Sequence, residues 1–586
     1  MKLTKKFRKM SMTLAAVAIG FVVISSCKKE ETIGPAPVIS VGAPSSGLAG
    51  STATITASIV AENGLKSLQV LKNGADFDYK TYNAGSTADS YSKVYVLENL
   101  AAGAIINFTF IVTDYKDLTT TAGPQTITVA TVPSKQIIDV SGTLSGNVSW
   151  AADKIYRLKG FVRVGEDLTV DGQPTKTGVL TIEAGTIIIG ERASKGTLIV
   201  QRGSKIMADG TAVKPIVFTS ERNPGEREPG DWGGLVICGK ATNNLPGGKA
   251  ELEGQYGGFH GGTDDNDNSG ILRYVRVEYA GVPINPNQEV NSFTFGSVGR
   301  GTVIGHVQAS YGLDDSFEWF GGTVNCKYLV AFRGLDDDFD MDNGYSGFMQ
   351  YGVGIRGTTQ ADQSGSNGFE VDNDGSGSAN APFTSATLSN FSLIGAKATN
   401  ATSISPQFQN GMQLRRNCKL KVYNTFVTAY PNGIYIDGAN TAANAAAGDL
   451  ILKNIVVAGV NAWGTDGFGG GTTTNPHGYP IRDINTSSPA GDLSIGGMKP
   501  TDWYLTSSFG NKLLLKNDDT GINSAIFSAA PIFTLIIGKA DGLEKGGSTS
   551  GLNSFFEATD FIGAFKTTDW TAGWTEFNPS VKDYTK

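Results

Sequence analysis

Five seven-residue segments of this chain can be laid one over another: "DDSFEWF" from Asp314, "DDDFDMD" from Asp336, "SNGFEVD" from Ser366, "QNGMQLR" from Gln409 and "PNGIYID" from Pro431. Their starts are 22, 30, 43 and 22 residues apart. Short apolar strands recurring at such a period indicate a solenoid. The shortest interval is read as one coil of a parallel β-helix, the 30-residue interval as a coil with an insertion, and the 43-residue interval as close to two coils. The second and third positions are Asp-Ser, Asp-Asp or Asn-Gly, residues that tolerate left-handed turn geometry, so each copy reads as a turn entering a strand. Strand alternation then separates two sets of side chains. Phe317/Trp319, Phe339/Met341, Phe369/Val371, Met412/Leu414 and Ile434/Ile436 share the parity expected to fill the coil. Glu318, Asp340, Glu370, Gln413 and Tyr435 have the other parity, as do Phe320, Asp342, Asp372, Arg415 and Asp437, and these are expected to face solvent.

The same texture begins near Gln136, with "VLTIEAGTIIIG", "GTLIVQRGSKIMADG" and "KPIVFTSE". Before it, residues 37–132 hold about seven short alternating strands, among them "ATITASIVA", "LKSLQVLKNG" and "INFTFIVTD". That pattern resembles an immunoglobulin-like sandwich lacking the Cys and Trp core. Seventy-six glycines and a charged fraction of 18% suit many strands and turns. The expected fold is all-β: an immunoglobulin-like β-sandwich at 37–132, a right-handed parallel β-helix at 133–500, and C-terminal coils and a cap at 501–586. A net charge of -7 without a basic run argues against nucleic acid as partner. Cys238, Cys326 and Cys418 form no paired motif and read as buried small hydrophobes.

The N-terminus carries five basic residues, an apolar stretch from Met12 to Ile24, and Ile24-Ser25-Ser26-Cys27. The stretch is short for a membrane span and reads as an export signal. Its end resembles the bacterial lipobox, which makes 1–26 a lipoprotein signal peptide and 27–36 the lipidated Cys27 with its tether. Acyl chains of the palmitate kind would then anchor the protein firmly. The acidic residues Glu30 and Glu31 resemble the surface-export signal of Bacteroidetes lipoproteins, so the expected location is the outer membrane, lipid-anchored and exposed at the cell surface.

"LTIEAGTIIIG", "GSKIMADGTAVKPIVFTS", "GDWGGLVICGKA", "GGTDDNDNSGILRYVRVEYAG", "FEWFGGTVNCKYLVAF" and "DDDFDMDNGYSG" together resemble a family of secreted or lipid-anchored Bacteroidetes proteins with right-handed parallel β-helices. The family has no agreed activity to carry over. Glu318, Asp340 and Glu370, about 4.8 Å apart on successive rungs, would repel by roughly 3 to 4 kcal/mol per pair at an effective dielectric near 20. That repulsion requires a raised pKa, a bound cation or a wet face.

The candidate ligand-binding or catalytic residues are therefore Glu318, Asp340, Asp342, Glu370, Asp372 and Tyr435. A polysaccharide bound to this acidic face is the leading expectation. The alternatives are a carbohydrate-active hydrolase or lyase, and a non-catalytic adhesion protein or accessory of an outer-membrane uptake complex. The companion motifs of β-helical polygalacturonases are missing. No cofactor is required by any motif; calcium is the ion the turns could hold, with Asp265, Asp267 and Ser269 of "DDNDNSG" as its candidate ligands.

Overall fold

The computed structural model describes residues 32–585 apart from 132–133, 171–173, 287, 400, 461–477, 483–493 and 518. Cys27 and the export signal lie outside the described residues. The chain divides into two compact units at Pro133 and Ser134, and both are built almost wholly of strands. Among the described residues no helix is long and apolar enough to cross a membrane.

The first unit is a two-sheet sandwich. Val38–Gly42, Thr52–Val60 and Ala88–Val96 form one antiparallel sheet. The other runs in the order Ser46–Gly47, Thr119–Val129, Ile105–Asp114, Leu65–Lys72, Ala75–Thr81. Thr52–Val60 alternates exposed and buried residues along its whole length, as a strand with one wet face must. Ile55, Ile59, Tyr91 and Tyr95 from one sheet meet Leu68, Val70, Phe108 and Phe110 from the other in a single core.

The second unit is a parallel solenoid whose coils contribute strands to three stacks. The first stack contains Phe293–Val298, Phe317–Gly322, Phe339–Asp342, Phe369–Val371, Asn410–Leu414 and Asn432–Ile436, all parallel. The other two stacks are halves of bent strands such as Gly270–Glu278, Val303–Ser310 and Asn325–Phe332. The bend is made by a residue with positive φ in each coil: Tyr274, His306, Tyr328 and Tyr351, then Asn390, Asn424 and Asn454. Positive φ is strained for a bulky residue, and here stacking compensates it. The rings of Tyr274 and His306 stack at 4.4 Å, His306 and Tyr328 at 4.2 Å, and Tyr328 and Tyr351 at 4.9 Å.

The predicted column is in register throughout: Glu318 pairs with Asp340, Asp340 with Glu370, Glu370 with Gln413 and Gln413 with Tyr435. The inward parity is fully buried, with ring stacks Phe293–Phe317–Phe339 at 5.0 and 5.5 Å. Three expectations are corrected. Phe369 pairs directly with Met412, so the 43-residue interval is one coil with a long excursion rather than two coils. The Asp and Asn residues at the second position are not in left-handed turns, since none of Asp315, Asp337, Asn367 or Asn410 has positive φ. Asp315, Asp337 and Asn367 instead accept the backbone N–H of the counterpart one rung on, from Asp337, Asn367 and Asn410 in turn. Glycine follows because the rungs are close there: a Cβ on Gly368 would lie 2.5 Å from the carbonyl oxygen of Gly411.

The third correction concerns the C-terminus. Lys512–Leu514 is the last strand to join the stack, and residues 519–585 run back along the solenoid instead of adding coils. On the way Gly563 bonds to Asn424, Glu557 to Gln350, Glu576 to Gln308, and Tyr584 to Glu278. The segment ends where Lys135 donates to the carbonyl of Thr585, beside the first coil. Phe533, Ile562, Phe565 and Trp574 bury the outward faces of Val330, Phe332, Val353 and Ile394. These strands are apolar at nearly every position because both of their faces are covered.

Candidate functional site

The predicted ladder splits into two halves with different electrostatics. In the upper half, Arg415 pairs with Glu370 and with Asp372 at 3.0 Å, and Arg416 reaches Asp372 at 3.2 Å. Burial still outweighs these pairings: it raises Asp372 to about 8 and lowers Arg415 below the usual guanidinium range. Gln413 donates to Asp437 at 3.1 Å. Tyr435 is buried rather than exposed, with the Arg482 guanidinium 3.6 Å from its ring centre, so no sugar can stack on it in this conformation.

The lower half has no such clamp. Glu318 and Asp340 open into a cleft of about 540 Å³ on the outer side of the first strand stack. The turns entering these strands bring Asp314, Asp315 and Asp336 to the same cleft, and the neighbouring loops add Glu253, Glu289 and Asp362. Gln363 and Ser364 complete the lining, and among the described residues no Lys, Arg or His takes part in it. The expected solvation of the ladder is also corrected here, since Glu318 is only 7%, Asp372 only 5% and Gln413 only 7% exposed, and the turn residue Asp315 is buried with them. Their turns are packed between adjacent rungs, and the flanking loops close over them.

Withdrawal from water with nearby like charge dominates the chemistry. Burial, followed by Asp340 and Glu253, pushes the Glu318 carboxyl well above its usual range. Burial, followed by Asp337 and Asp342, does the same to Asp340. Asp314 is raised by burial and Asp336, Asp315 by burial and Asp314, and Asp336 by burial and Asp337. Glu253 is open to solvent at the rim, yet the surrounding protein and then Glu289 raise it to about 7. Asp342, one turn of the pleat from Asp340, rises to about 6 through burial, with the Asn343 backbone N–H opposing.

In the loop expected to hold calcium, Asp265 and Asp267 already accept hydrogen bonds from protein donors. Asp265 accepts from the backbone and hydroxyl of Thr242, and Asp267 accepts from Ser269 at 3.2 Å. The oxygens that converge are elsewhere: one each from Asp315, Glu318 and Asp340 lie within 4.8 Å of one another, as do one each from Asp314, Asp315 and Asp336. Asp314, Asp315 and Asp336 were visible in the repeated motif as turn residues, but their convergence was not. Glu253, Glu289 and Asp362 stand outside the column, on loops whose return to the cleft no local pattern announces. Cys238, Cys326 and Cys418 are free and buried.

A solenoid of parallel strands with an acidic cleft on one outer sheet face defines the class of protein. The family described as pectate-lyase-like β-helix domain matches residues 142–475, more than half of the chain, and the protein belongs to that family. The match and the parallel stacks support a right-handed β-helix. No curated protein matches the sequence.

Proposed function

We propose that the protein is a cell-surface lipoprotein that binds polysaccharide in the acidic cleft, with its immunoglobulin-like sandwich lying between the lipid anchor and the β-helix in the sequence. The observation that carries this reading is the convergence of eight carboxylates on one cleft of the outer sheet face. Carboxylates accept hydrogen bonds from sugar hydroxyls, and a cleft of about 540 Å³ has room for sugar units. Membership of a pectate-lyase-like family supports the substrate class. The lipobox at Cys27, with the acidic residues behind it, supports the outer membrane as the site of anchoring. An outer-membrane uptake complex is the partner such a binder would serve.

Affinity-gel electrophoresis against neutral, amino and uronic polysaccharides tests the reading. Retardation by at least one gel, weakened in Glu318→Gln and Asp340→Asn, is expected. Binding to no gel, or binding unchanged in both variants, overturns it. Protease added to intact cells should cleave the protein if it is at the surface.

A second reading has its own observation. Glu318 and Asp340 occupy adjacent rungs with raised pKa values, so one can hold a proton while the other is ionised, as glycoside hydrolysis requires. New reducing ends from a retained polysaccharide, absent with Glu318→Gln, would make the binder a hydrolase. Arg415, the base a lyase would need, is engaged by Glu370 and Asp372.

A further inference from the structure

We propose that a cavity of about 300 Å³, beside the C-terminal ends of two first-stack strands, is an oxyanion site for a phosphate or sulfate group. Two consecutive rungs build its floor. Thr197–Val200 and Leu235–Cys238 pair in parallel with Val200 opposite Ile237, so the register carried three residues on sets Gly203 beside Lys240. A Cβ on Gly203 would lie 3.0 Å from Lys240 Nζ, which shows the ammonium held over the glycine. The wall comes from the antiparallel hairpin of Lys249–Glu251 and Phe259–Gly261, in which Lys249 is opposite Gly261. Arg202, Lys240, Lys249, Gly261, Gly262 and Thr263 all line the cavity.

Donors without acceptors point to the ligand. Neither Lys240 nor Lys249, both half-buried, forms an ion pair or a side-chain hydrogen bond among the described residues. The N–H groups of Gly262 and Thr263 meet no acceptor among the described residues either, although Gly262 is buried. Arg202 is only 3% exposed. Its Nε donates to Asp167, Nη2 to the carbonyls of Thr169 and Val170, and Nη1 to the carbonyl of Gly261. A guanidinium carries five N–H groups, so one at Nη1 remains.

Little in the protein answers this charge. Asp167 is spent on Arg202, and Asp264, exposed at the rim, already accepts the Asn266 backbone N–H. Backbone N–H groups beside fixed cations are the setting in which phosphate and sulfate oxygens are held. The donors arrive from two rungs and from the hairpin, several directions at once, which suits a tetrahedral group better than a planar carboxylate. A free ion and a monoester present the same group, and the cavity has room for part of the ester's carrier. The hairpin separates this site from the acidic cleft: its tip gives Glu253 to the cleft, and its base gives Lys249 to the cavity. The site does not depend on the polysaccharide reading and would stand if no glycan bound in the cleft.

The test uses the full mature chain in buffer free of both anions, with sodium chloride holding the ionic strength constant so that screening does not change. Sodium sulfate, sodium phosphate, glucose 6-sulfate and glucose 6-phosphate are each titrated in a calorimeter. At least one should give a saturable heat. Losing one charged donor should weaken that binding about tenfold in Lys240→Gln and in Lys249→Gln, and Glu318→Gln should leave it unchanged. Lys249→Arg, which keeps the charge, should bind more tightly than Lys249→Gln. A monoester that binds more tightly than its free ion assigns the group to a sugar; otherwise the ligand is the free ion. No saturable heat from any of the four probes would overturn the proposal. Undiminished binding in a folded Lys240→Gln, Lys249→Gln double variant would overturn it as well, because the anion would then be bound elsewhere.

Discussion

Neutralising one cleft carboxylate should stabilise the cation-free protein. Glu318→Gln preserves shape and the contact with Asn291 while removing a charge that has an Asp340 oxygen within 4.8 Å. At an effective dielectric near 20, two unit charges at that separation repel by about 3.5 kcal/mol. Proton uptake relieves part of this, so the expected gain near pH 8 is about 1–3 kcal/mol. The sign follows from the raised pKa of Glu318. A carboxyl raised on folding contributes stability that is fully present below its unfolded value, about 4.3, and lost as pH rises through its folded value. The variant and parent should therefore melt together near pH 4 and diverge as pH rises. For a unit spanning residues 134–586, an unfolding entropy of about 2 cal/mol/K per residue converts the gain to about 1–3 °C. Scanning calorimetry in chelator at both pH values is the assay. A variant less stable than the parent near pH 8, or a shift of equal size at both pH values, would refute the reasoning.

Trp574 is buried where the returning C-terminal segment crosses Tyr274 and His306, so Trp574→Ala should cost about 3–5 kcal/mol in chemical denaturation. It should also expose the segment after residue 514 to limited proteolysis. Arg415→Ala leaves Glu370 with no cation and Asp372 with Arg416 alone; because Arg415 is partly solvated, a loss of about 1–3 kcal/mol is expected, larger near pH 8 than near pH 5. A loss that shrank as pH rose would contradict the pairing. Gly270 has φ 116°, and a Cβ there would lie 1.9 Å from the carbonyl oxygen of Ile206. Gly270→Ala should therefore abolish soluble expression, and a soluble variant with the parent melting temperature would show that the coil tolerates a larger separation.

The column of "DDSFEWF" and its relatives was legible because strand parity and coil period are both written locally. Phe317 and Trp319 point inward for the same reason that Phe339 and Met341 do, and a short register argument suffices. The preceding rung, Phe293 and Phe295, carries the same aromatic parity but no acidic turn, so it escaped notice. What was not legible depends on distant chain returning to the column. Arg482, from a loop far along the chain, covers Tyr435 and removes it from the surface. Glu253 and Glu289 complete the cleft from an excursion before the first acidic rung. The returning strap left a trace, since strands such as Asn325–Phe332 are apolar on both parities, but that pattern alone does not say what covers the outer face.

The rise between rungs explains why the two halves of the ladder need different counter-charges. Arg415 sits one rung from Glu370 and Asp372 and touches both. Asp340 lies a further rung away and Glu318 a rung beyond that, or about 10 and 14 Å from the arginine's rung at about 4.8 Å per rung. At those distances the attraction falls to about a half and a third of its value across a single rung. Arg415 accordingly opposes the rise in the Asp340 pKa by less than burial and the neighbouring carboxylates drive it, and the leading causes acting on Glu318 are burial and carboxylates. An arginine stacked on the next lower rung would have neutralised Glu318 as Arg415 neutralises Glu370. That position is Thr294, a buried hydroxyl without charge, so the column stops short of cancelling its own field where the cleft opens. Charge complementarity for Glu318, Asp315 and Asp340 must come from protons or from a ligand, which makes the cleft the part of the solenoid whose electrostatics the described chain leaves open.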